Sequence, residues 1–146
     1  MGKQPKLIKA YFVILFMQKT PNQKWNEEIS HHRKKCQQIL TISRSIRYAG
    51  LINPYGRTLT GVIRPGTNII LKSDAARNEF FLVSALFNMR NKISSSIGNM
   101  EYAILKHGKI TLIVFQSKEG IYYISVSKSM TAESIAKLIT KIKKII

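Results

Sequence analysis

Hydrophobic residues make up 45% of the 146-residue chain and charged residues 21%. This is the composition of a globular protein with one domain, or two at most, and it excludes a disordered, collagen-like or multi-span membrane protein. The single cysteine, Cys36, excludes an internal disulfide and a cysteine-built zinc site. The chain carries 24 lysine and arginine residues against 7 acidic residues, a formal charge of +17, and such a chain concentrates anions near its surface.

A lysine-rich start is followed by an apolar run over residues 10–17. The run is far shorter than the roughly 20 residues that span a bilayer, and no small-residue cleavage site follows it. We expect either an additional strand or tail, or upstream sequence translated ahead of a start at Met17, with a membrane anchor as the weaker alternative. Residues 1–20 are therefore assigned to a basic and apolar extension, and residues 21–146 to a single domain.

The segment after Pro21 predicts an amphipathic helix, because its apolar residues fall in one narrow stripe at 100° per residue. They are Trp25, Ile29, Cys36, Ile39 and Leu40, with His32 between them. The period then changes, since Tyr48–Ile52 and Thr58–Ile63 are short, β-branched and aromatic. Asn53–Gly56 between them is a strong turn signal. This pattern predicts a β-hairpin.

A long helix is predicted from Ala75 to about Ile97, where the chain has no proline or glycine. Ser73 is expected to be its N-cap, and Gly98 is expected to end it. Its apolar residues form two adjoining stripes that together cover more than half of the circumference. The first stripe is Leu82, Leu86, Met89, Ile93 and Ile97, and the second is Ala76, Phe80, Val83 and Phe87. Packing on one sheet needs a narrower face than this.

Three strands and a final helix follow. The strands Glu101–Lys106, Lys109–Gln116 and Ile121–Val126 are joined by short loops that contain glycine, which predicts an antiparallel meander. The middle strand is apolar on both faces and is expected inside the sheet. Thr131 is expected to cap the last helix, whose buried face is Ile135, Leu138, Ile139, Ile142 and Ile145. The order of elements predicts an α+β fold with a five-stranded antiparallel sheet between helical layers.

This pattern resembles the roadblock/dynein light chain family, which has a profilin-like αββαβββα fold. The features that carry the resemblance are the first helix leading into Tyr48–Ile52, the tight turn at Tyr55 and Gly56, the Ser73–Ala76 entry to the long helix, Gly98 at its end, and the Lys109–Val126 hairpin before the last helix. The match covers about Trp25–Ile146. Longin, PAS and GAF domains share parts of this layout, and the charge of +17 departs from the family.

The resemblance implies a dimeric scaffold that regulates small GTPases or motors and has no chemistry of its own. Family dimers pair the third strand and pack the second helix across a two-fold axis, which here corresponds to Glu101–Lys106 and the helix from Ala75. The expected homodimer interface is Phe80, Phe81, Leu82, Leu86, Met89, Glu101, Tyr102, Ile104 and Lys106.

Two observations on the residues themselves agree with a dimer. Phe81 stands apart from both apolar stripes of the long helix, on an arc otherwise occupied by Arg77, Ser84, Asn88, Asn91 and Lys92. The third strand is expected to be an unpaired edge, and an edge strand invites pairing unless it is blunted. Glu101 and Lys106 at its ends are complementary if two copies pair antiparallel.

Residues for catalysis or metal binding are scarce. His32 and Cys36 stand four apart on the first helix, but two ligands do not close a tetrahedral metal site. Both lie on the apolar stripe, so we expect them to pack in the core. Most acidic residues are explained by helix N-termini, and no glycine loop for phosphate is present in the sequence. We therefore predict that the chain is not an enzyme and has no catalytic residue, metal site or cofactor.

Basic residues concentrate around the end of the first helix and along one face of the last helix. They are Arg33, Lys34, Lys35, Arg44 and Arg47, and Lys137, Lys141 and Lys144. In the profilin-like layout these two helices share one face of the sheet, so these residues are expected to form a surface that binds the phosphates of nucleic acid or anionic lipid. The simpler interpretation is a solvated, lysine-rich surface.

The sequence supports two functional hypotheses. The first is a cytoplasmic, roadblock-like homodimer that scaffolds or regulates a partner such as a small GTPase. The second is a basic nucleic-acid-binding protein that makes electrostatic contacts to phosphates. Base-stacking aromatics among the charges, which single-strand binders need, are not evident in the sequence, and neither is an RNP or zinc-finger signature.

Overall fold

The computed structural model describes residues 19–146, and the chain divides into two units, Met1–His31 and His32–Ile146. Nearly all of the predicted N-terminal extension, residues 1–18 with the alternative start at Met17, lies outside the described residues. The assignment of an extension and a single domain therefore stays a prediction.

The first helix, α1, runs over Pro21–Ile42 and buries Cys36, Ile39 and Leu40. Trp25, which belongs to the first unit, is 53% exposed. The predicted apolar stripe is therefore buried in its C-terminal part, at Cys36, Ile39 and Leu40. The helical period fixes the side of a helix on which a residue lies, but it does not fix the length over which that side is covered.

The other helices are α2 (Ser73–Asn91), the one-turn α3 (Ser94–Ile97) and α4 (Ala132–Lys143). The strands are β1 (Ile46–Ile52), β2 (Thr58–Ile63), β3 (Tyr102–Lys106), β4 (Ile110–Gln116) and β5 (Ile121–Ser127). The predicted order of helices and strands is confirmed, with α3 as an addition. Glu101 precedes β3, although its carbonyl still accepts a hydrogen bond from the Gln116 N–H at 2.9 Å.

The long helix ends earlier than predicted, at Asn91 instead of Ile97. The N–H groups of Lys92 and Ile93 bond to carbonyls three residues earlier, at 3.3 and 3.2 Å, which tightens the last turn. Ser94–Ile97 then form the separate helical turn α3. This break arises without the proline or glycine that sequence rules look for.

The two longer helices of the second half begin differently. At α4, Thr131 is the N-cap and its Oγ1 accepts a hydrogen bond from the Ser134 N–H at 3.1 Å, as predicted. At α2, Lys72 occupies the N-cap position without a side-chain hydrogen bond, and Ser73 is already helical. The prediction of Ser73 as the N-cap is therefore wrong by one residue.

The five strands form one antiparallel sheet in the order β2-β1-β5-β4-β3. The strand β4 is buried on both faces over Ile110–Phe115, as predicted for the middle strand of the meander. Among residues 19–146, β3 pairs with β4 alone, where Ile104 lies opposite Ile113, so β3 is an edge of the described sheet, as predicted. The other edge is β2.

Helices cover both faces of the sheet. Side chains of α1 and α4 pack with Tyr122 and Ile124 on one face. Val83 and Phe87 of α2 pack with Val114 on the other face. The expected helical layers are therefore confirmed, and the first and last helices do share one face.

The β1–β2 turn rests against α2. Gly56 has a φ of +86°, the left-handed conformation predicted for this turn, and a Cβ added there would lie 2.8 Å from the Cα of Phe81. Asn88 donates from Nδ2 to the Pro54 carbonyl at 3.1 Å. The hairpin tip is thus held against the helix, while the side chain of Tyr55 remains exposed.

Candidate functional site

The side of α2 that faces away from the sheet is apolar and exposed. Phe81 and Leu82 are each 62% exposed and Met89 is 66% exposed, whereas Phe87 is 1% exposed against the sheet. We refer to Phe81, Leu82 and Met89 as the outer α2 surface. The two predicted stripes therefore have different environments, since one packs on the sheet and the other meets solvent. Large exposed apolar patches are typical of interaction sites in soluble proteins.

Neighbouring residues define the limits of this surface. Ile93 and Ile97 are also exposed and continue it beyond the end of α2. Ser84, expected on the polar arc beside Phe81, is buried and donates its hydroxyl to the Phe81 carbonyl at 2.8 Å. Phe80, predicted in the dimer interface, instead packs toward the sheet, with its ring centroid 4.9 Å from that of Tyr123. Leu86 is half-buried.

The open edge of the sheet carries a second set of exposed apolar side chains, on β3. Ile104 is 46% exposed, and Tyr102 is exposed beside Phe115, with their ring centroids 6.0 Å apart. Phe115 belongs to the core that α1 and α4 cover, so these side chains lie on the face opposite α2. The outer edge of β3 has backbone groups that no described strand pairs with. Apolar side chains are exposed on β3 and on the outer α2 surface.

The charged residues at the two ends of β3 have partners within the chain. Glu101 lies 3.6 Å from the ammonium of Lys143, which also sits 4.9 Å from the centre of the Tyr102 ring. Lys106 donates to the carbonyl of Lys128 at 3.2 Å. A pairing of Glu101 with Lys106 between two copies would therefore replace these contacts.

The predicted basic surface is only partly free of internal contacts. Arg33 donates to the Gly61 carbonyl at 3.1 Å, and Lys35 forms an ion pair with Glu119 at 2.8 Å. Lys137 has a solvent-exposed ion pair with Glu133 on its own helix. The exposed members of the set are Arg33, Lys34, Arg44, Lys137, Lys141 and Lys144.

A polar groove of about 380 Å³ contains two members of the basic set, Lys137 and Lys141, both from α4. It joins the segment after α1 to the outer side of α4, and its polar lining residues are Ser43, Ser45, Ser129, Thr131, Ser134, Lys137 and Lys141. Arg47 lies elsewhere, since its guanidinium donates to the Asn68 carbonyl at 2.7 Å in the β2–α2 connection. The phosphate-binding role of these residues stays a prediction.

A half-buried carboxylate ties α1 to the β4–β5 turn. Glu119 accepts hydrogen bonds from Lys35 at 2.8 Å and from the Tyr122 hydroxyl at 2.5 Å, and His32 Nδ1 lies 3.5 Å from it. Burial by itself would raise the pKa of Glu119, but the hydrogen bonds from Lys35 and Tyr122 outweigh it and hold this pKa below its usual value. Sequence reasoning missed this cluster, because Lys35 and Glu119 are 84 residues apart.

The histidine and cysteine of α1 differ in their burial. Cys36 is fully buried, as predicted, and burial raises the pKa of its thiol to about 11. His32 is only partly buried and lies beside Glu119. Over residues 19–146, no cluster of three or more histidine, cysteine, aspartate or glutamate side chains is arranged to hold a metal ion. None of the helices in that range is long and apolar enough to cross a membrane.

The sequence itself has no recognisable match: no protein-family model matches it, and no curated protein matches it significantly. The structure, by contrast, is similar to solved structures. The gliding protein MglB from Thermus thermophilus superposes with a TM-score of 0.63 at 12% identity, over 80% of this chain and 85% of that one. An MglB structure described as having a tetrameric arrangement gives 0.62 at 12% identity, over 77% and 82% of the two chains.

A roadblock/LC7 domain from Streptomyces avermitilis is also similar, with a TM-score of 0.52 at 13% identity over 75% of this chain and 92% of that one. A similar overall fold thus recurs in proteins with almost unrelated sequences. The chain has a roadblock-family fold.

Proposed function

We propose that the chain is a cytoplasmic, non-enzymatic scaffold of the roadblock type, which forms a homodimer and regulates a protein partner, with a small GTPase as the partner class. One observation carries this proposal. On a roadblock-family fold, the apolar outer α2 surface is exposed, and no described strand pairs with the outer edge of β3.

The physical chemistry favours covering both features. Burying a large apolar side chain completely contributes about 1.5–3 kcal/mol. A two-fold interface would bury Phe81, Leu82 and Met89 from each copy. The free energy gained from burying these six side chains is comparable to the roughly 4–15 kcal/mol that association costs. Antiparallel pairing of two β3 edges would add backbone hydrogen bonds and remove the exposed edge.

The structural comparisons support self-association more directly than they support the partner. One of the similar MglB structures is described as a tetrameric arrangement, so this fold is compatible with assembly. The small GTPase rests on the resemblance to the roadblock family. The absence of an evident catalytic constellation in the sequence makes regulation by binding the simpler proposal.

Light scattering coupled to size exclusion tests the dimer. We expect the wild-type chain to be dimeric at micromolar concentration and the double variant Phe81→Glu, Ile104→Lys to be monomeric. The matched control is Ile63→Lys on the other edge of the sheet, because Ile63 is 47% exposed and Ile104 46%. The control should remain dimeric. A wild-type chain that is monomeric at high micromolar concentration would overturn the interface.

The nucleic-acid hypothesis remains as a second candidate because of the charge of +17. Purification with and without nuclease, followed by a salt titration, separates the two. A nucleic-acid binder would co-purify with nucleic acid and release it steeply as salt rises. The scaffold would instead bind a small GTPase of the same organism after nuclease treatment, and with different affinity for its GTP-loaded and GDP-loaded forms.

A further inference from the structure

A cavity of about 500 Å³ lies on the α2 side of the sheet, beneath the β2–α2 connection. This is within the size range of sites for small molecules. Three aromatic rings, those of Tyr48, Phe80 and Tyr123, form part of its wall. The ring centroids of Phe80 and Tyr123 are 4.9 Å apart, and those of Tyr48 and Phe80 are 6.3 Å apart. The cavity thus has a broad aromatic surface.

Two glycines make room for one of these rings. Gly50 on β1 lies opposite Gly61 on β2, and a methyl group at either position would overlap the ring of Tyr48. Tyr48 therefore lies across the two strands instead of projecting straight from the sheet. This arrangement makes its ring a wall of the cavity.

The charged residues that line the cavity are of one sign. Arg47 and Lys72 are both lining residues, and the lining contains no aspartate or glutamate. The hydroxyl of Tyr123 is buried, and the Glu79 carboxylate lies close to it. Burial is the main reason that the pKa of Tyr123 is raised, and the nearby carboxylate of Glu79 adds to it. The Tyr123 hydroxyl is therefore neutral.

The rim of the cavity is apolar. Ile63, Ile69 and Ile70 line it and are all exposed to solvent. Exposed isoleucines around the opening of an aromatic cavity are typical of a binding site in which an apolar ligand completes the burial.

We propose that this cavity binds a small amphipathic anion, an apolar carboxylic acid. Its hydrocarbon or aromatic body would lie against Tyr48, Phe80 and the isoleucines of the rim. Its carboxylate would pair with Arg47 and Lys72. The proposal does not depend on the dimer or on a GTPase, because every lining residue belongs to one copy of the chain.

Decanoate is a suitable probe, with decanol as the neutral analogue of the same chain length. In about 150 mM salt, which weakens attraction to exposed charge, calorimetry should show one saturable decanoate site per chain. The affinity for decanol should be lower by at least about tenfold, because decanol lacks the charge-assisted hydrogen bonds. Arg47→Gln should reduce this preference and leave decanol binding unchanged. Equal affinity for the acid and the alcohol would overturn the assignment of an anion.

A pair of adjacent substitutions tests the location. Ala76 lines the cavity, whereas Ala75 is exposed and does not line it. Ala76→Phe should abolish decanoate binding, and Ala75→Phe should leave it unchanged. The amide resonances of Ile110 and Tyr123 in the wild-type chain give an independent readout, and they should shift on titration with decanoate.

Three results would overturn the cavity site. They are the absence of decanoate binding to the wild-type chain, unchanged affinity in Ala76→Phe, and resonance shifts concentrated at Lys137 and Lys141 instead of at the cavity. The last would mean that the acid adsorbs to the basic face of α4.

Discussion

The helices α4 and α2 are both amphipathic and both pack on the sheet, but they use their apolar residues differently. The apolar side of α4 is fully covered, since Ile135, Leu138, Ile139 and Ile142 are all buried. In α2, by contrast, the outer α2 surface of Phe81, Leu82 and Met89 remains exposed.

This difference separates a structural layer from an interface. When the apolar arc of a helix matches the area that the sheet covers, the helix has no exposed apolar surface that a partner must bury. When the arc is wider, the surplus has to meet solvent or a partner. Three matched pairs of substitutions and one single variant test the comparison.

The largest difference should appear between two phenylalanines of α2. Phe87→Ala should lower the free energy of unfolding by about 3–5 kcal/mol, because Phe87 is buried against the sheet. Phe81→Ala should change it by less than about 0.5 kcal/mol at concentrations where the chain is monomeric. Urea denaturation of both variants measures this. Equal losses in dilute solution would show that Phe81 supports the fold of the single chain.

A second pair compares the two helices directly. Ile142→Ala in α4 should cost about 2–5 kcal/mol, since it removes buried side-chain volume. Leu82→Ala in α2 should cost less than about 0.5 kcal/mol in dilute solution, although it removes a similar number of carbon atoms. If the chain dimerises, the cost of Leu82→Ala should grow with protein concentration, because association stabilises only the folded form. A cost independent of concentration would contradict an interface at Leu82.

The third pair concerns the helix starts. Thr131→Ala should destabilise the chain by about 1 kcal/mol, because Thr131 caps α4. Ser73→Ala should change stability by only a few tenths of a kcal/mol, since no side chain caps α2. Thermal unfolding of both variants checks this. A larger effect at Ser73 would mean that its hydroxyl caps α2 after all.

The smallest effect should come from Glu119. Its pKa is lowered in the folded chain, so the stability that it contributes is present above its ordinary value of 4.5 and is lost as pH falls through the folded pKa. Because the group is partly exposed, we expect less than about 1 kcal/mol. Urea denaturation below pH 5 should therefore show a shallower loss for Glu119→Gln than for wild type. Identical pH profiles would exclude a stabilising role for the carboxylate.

The order and type of the elements could be predicted from the sequence because the apolar period is local information. The stripe of α4, the double-sided burial of β4 and the cap at Thr131 all depend on residues within one turn or strand. The excess width of the α2 arc was visible in the same way. The pattern did not show which stripe would meet the sheet.

The remaining features depend on contacts between distant segments. The ion pair between Lys35 and Glu119 forms only when α1 packs beside the β4–β5 turn. The guanidinium of Arg47 bonds to the Asn68 carbonyl. It therefore does not join the basic cluster that was predicted from its position in the sequence. The site residues were therefore less predictable than the fold. Charged side chains are long, and they pair with groups that are distant in the sequence.

The joint packing of α1 and α4 has a consequence for synthesis. Their core includes residues from Cys36 at one end to Ile142 at the other, and α4 is made after all five strands. A nascent chain grows at roughly 5–20 residues per second. Until α4 emerges from the ribosome, the apolar side chains of Tyr122 and Ile124 lack this cover, and the growing chain is a natural client for chaperones that bind exposed hydrophobic surface.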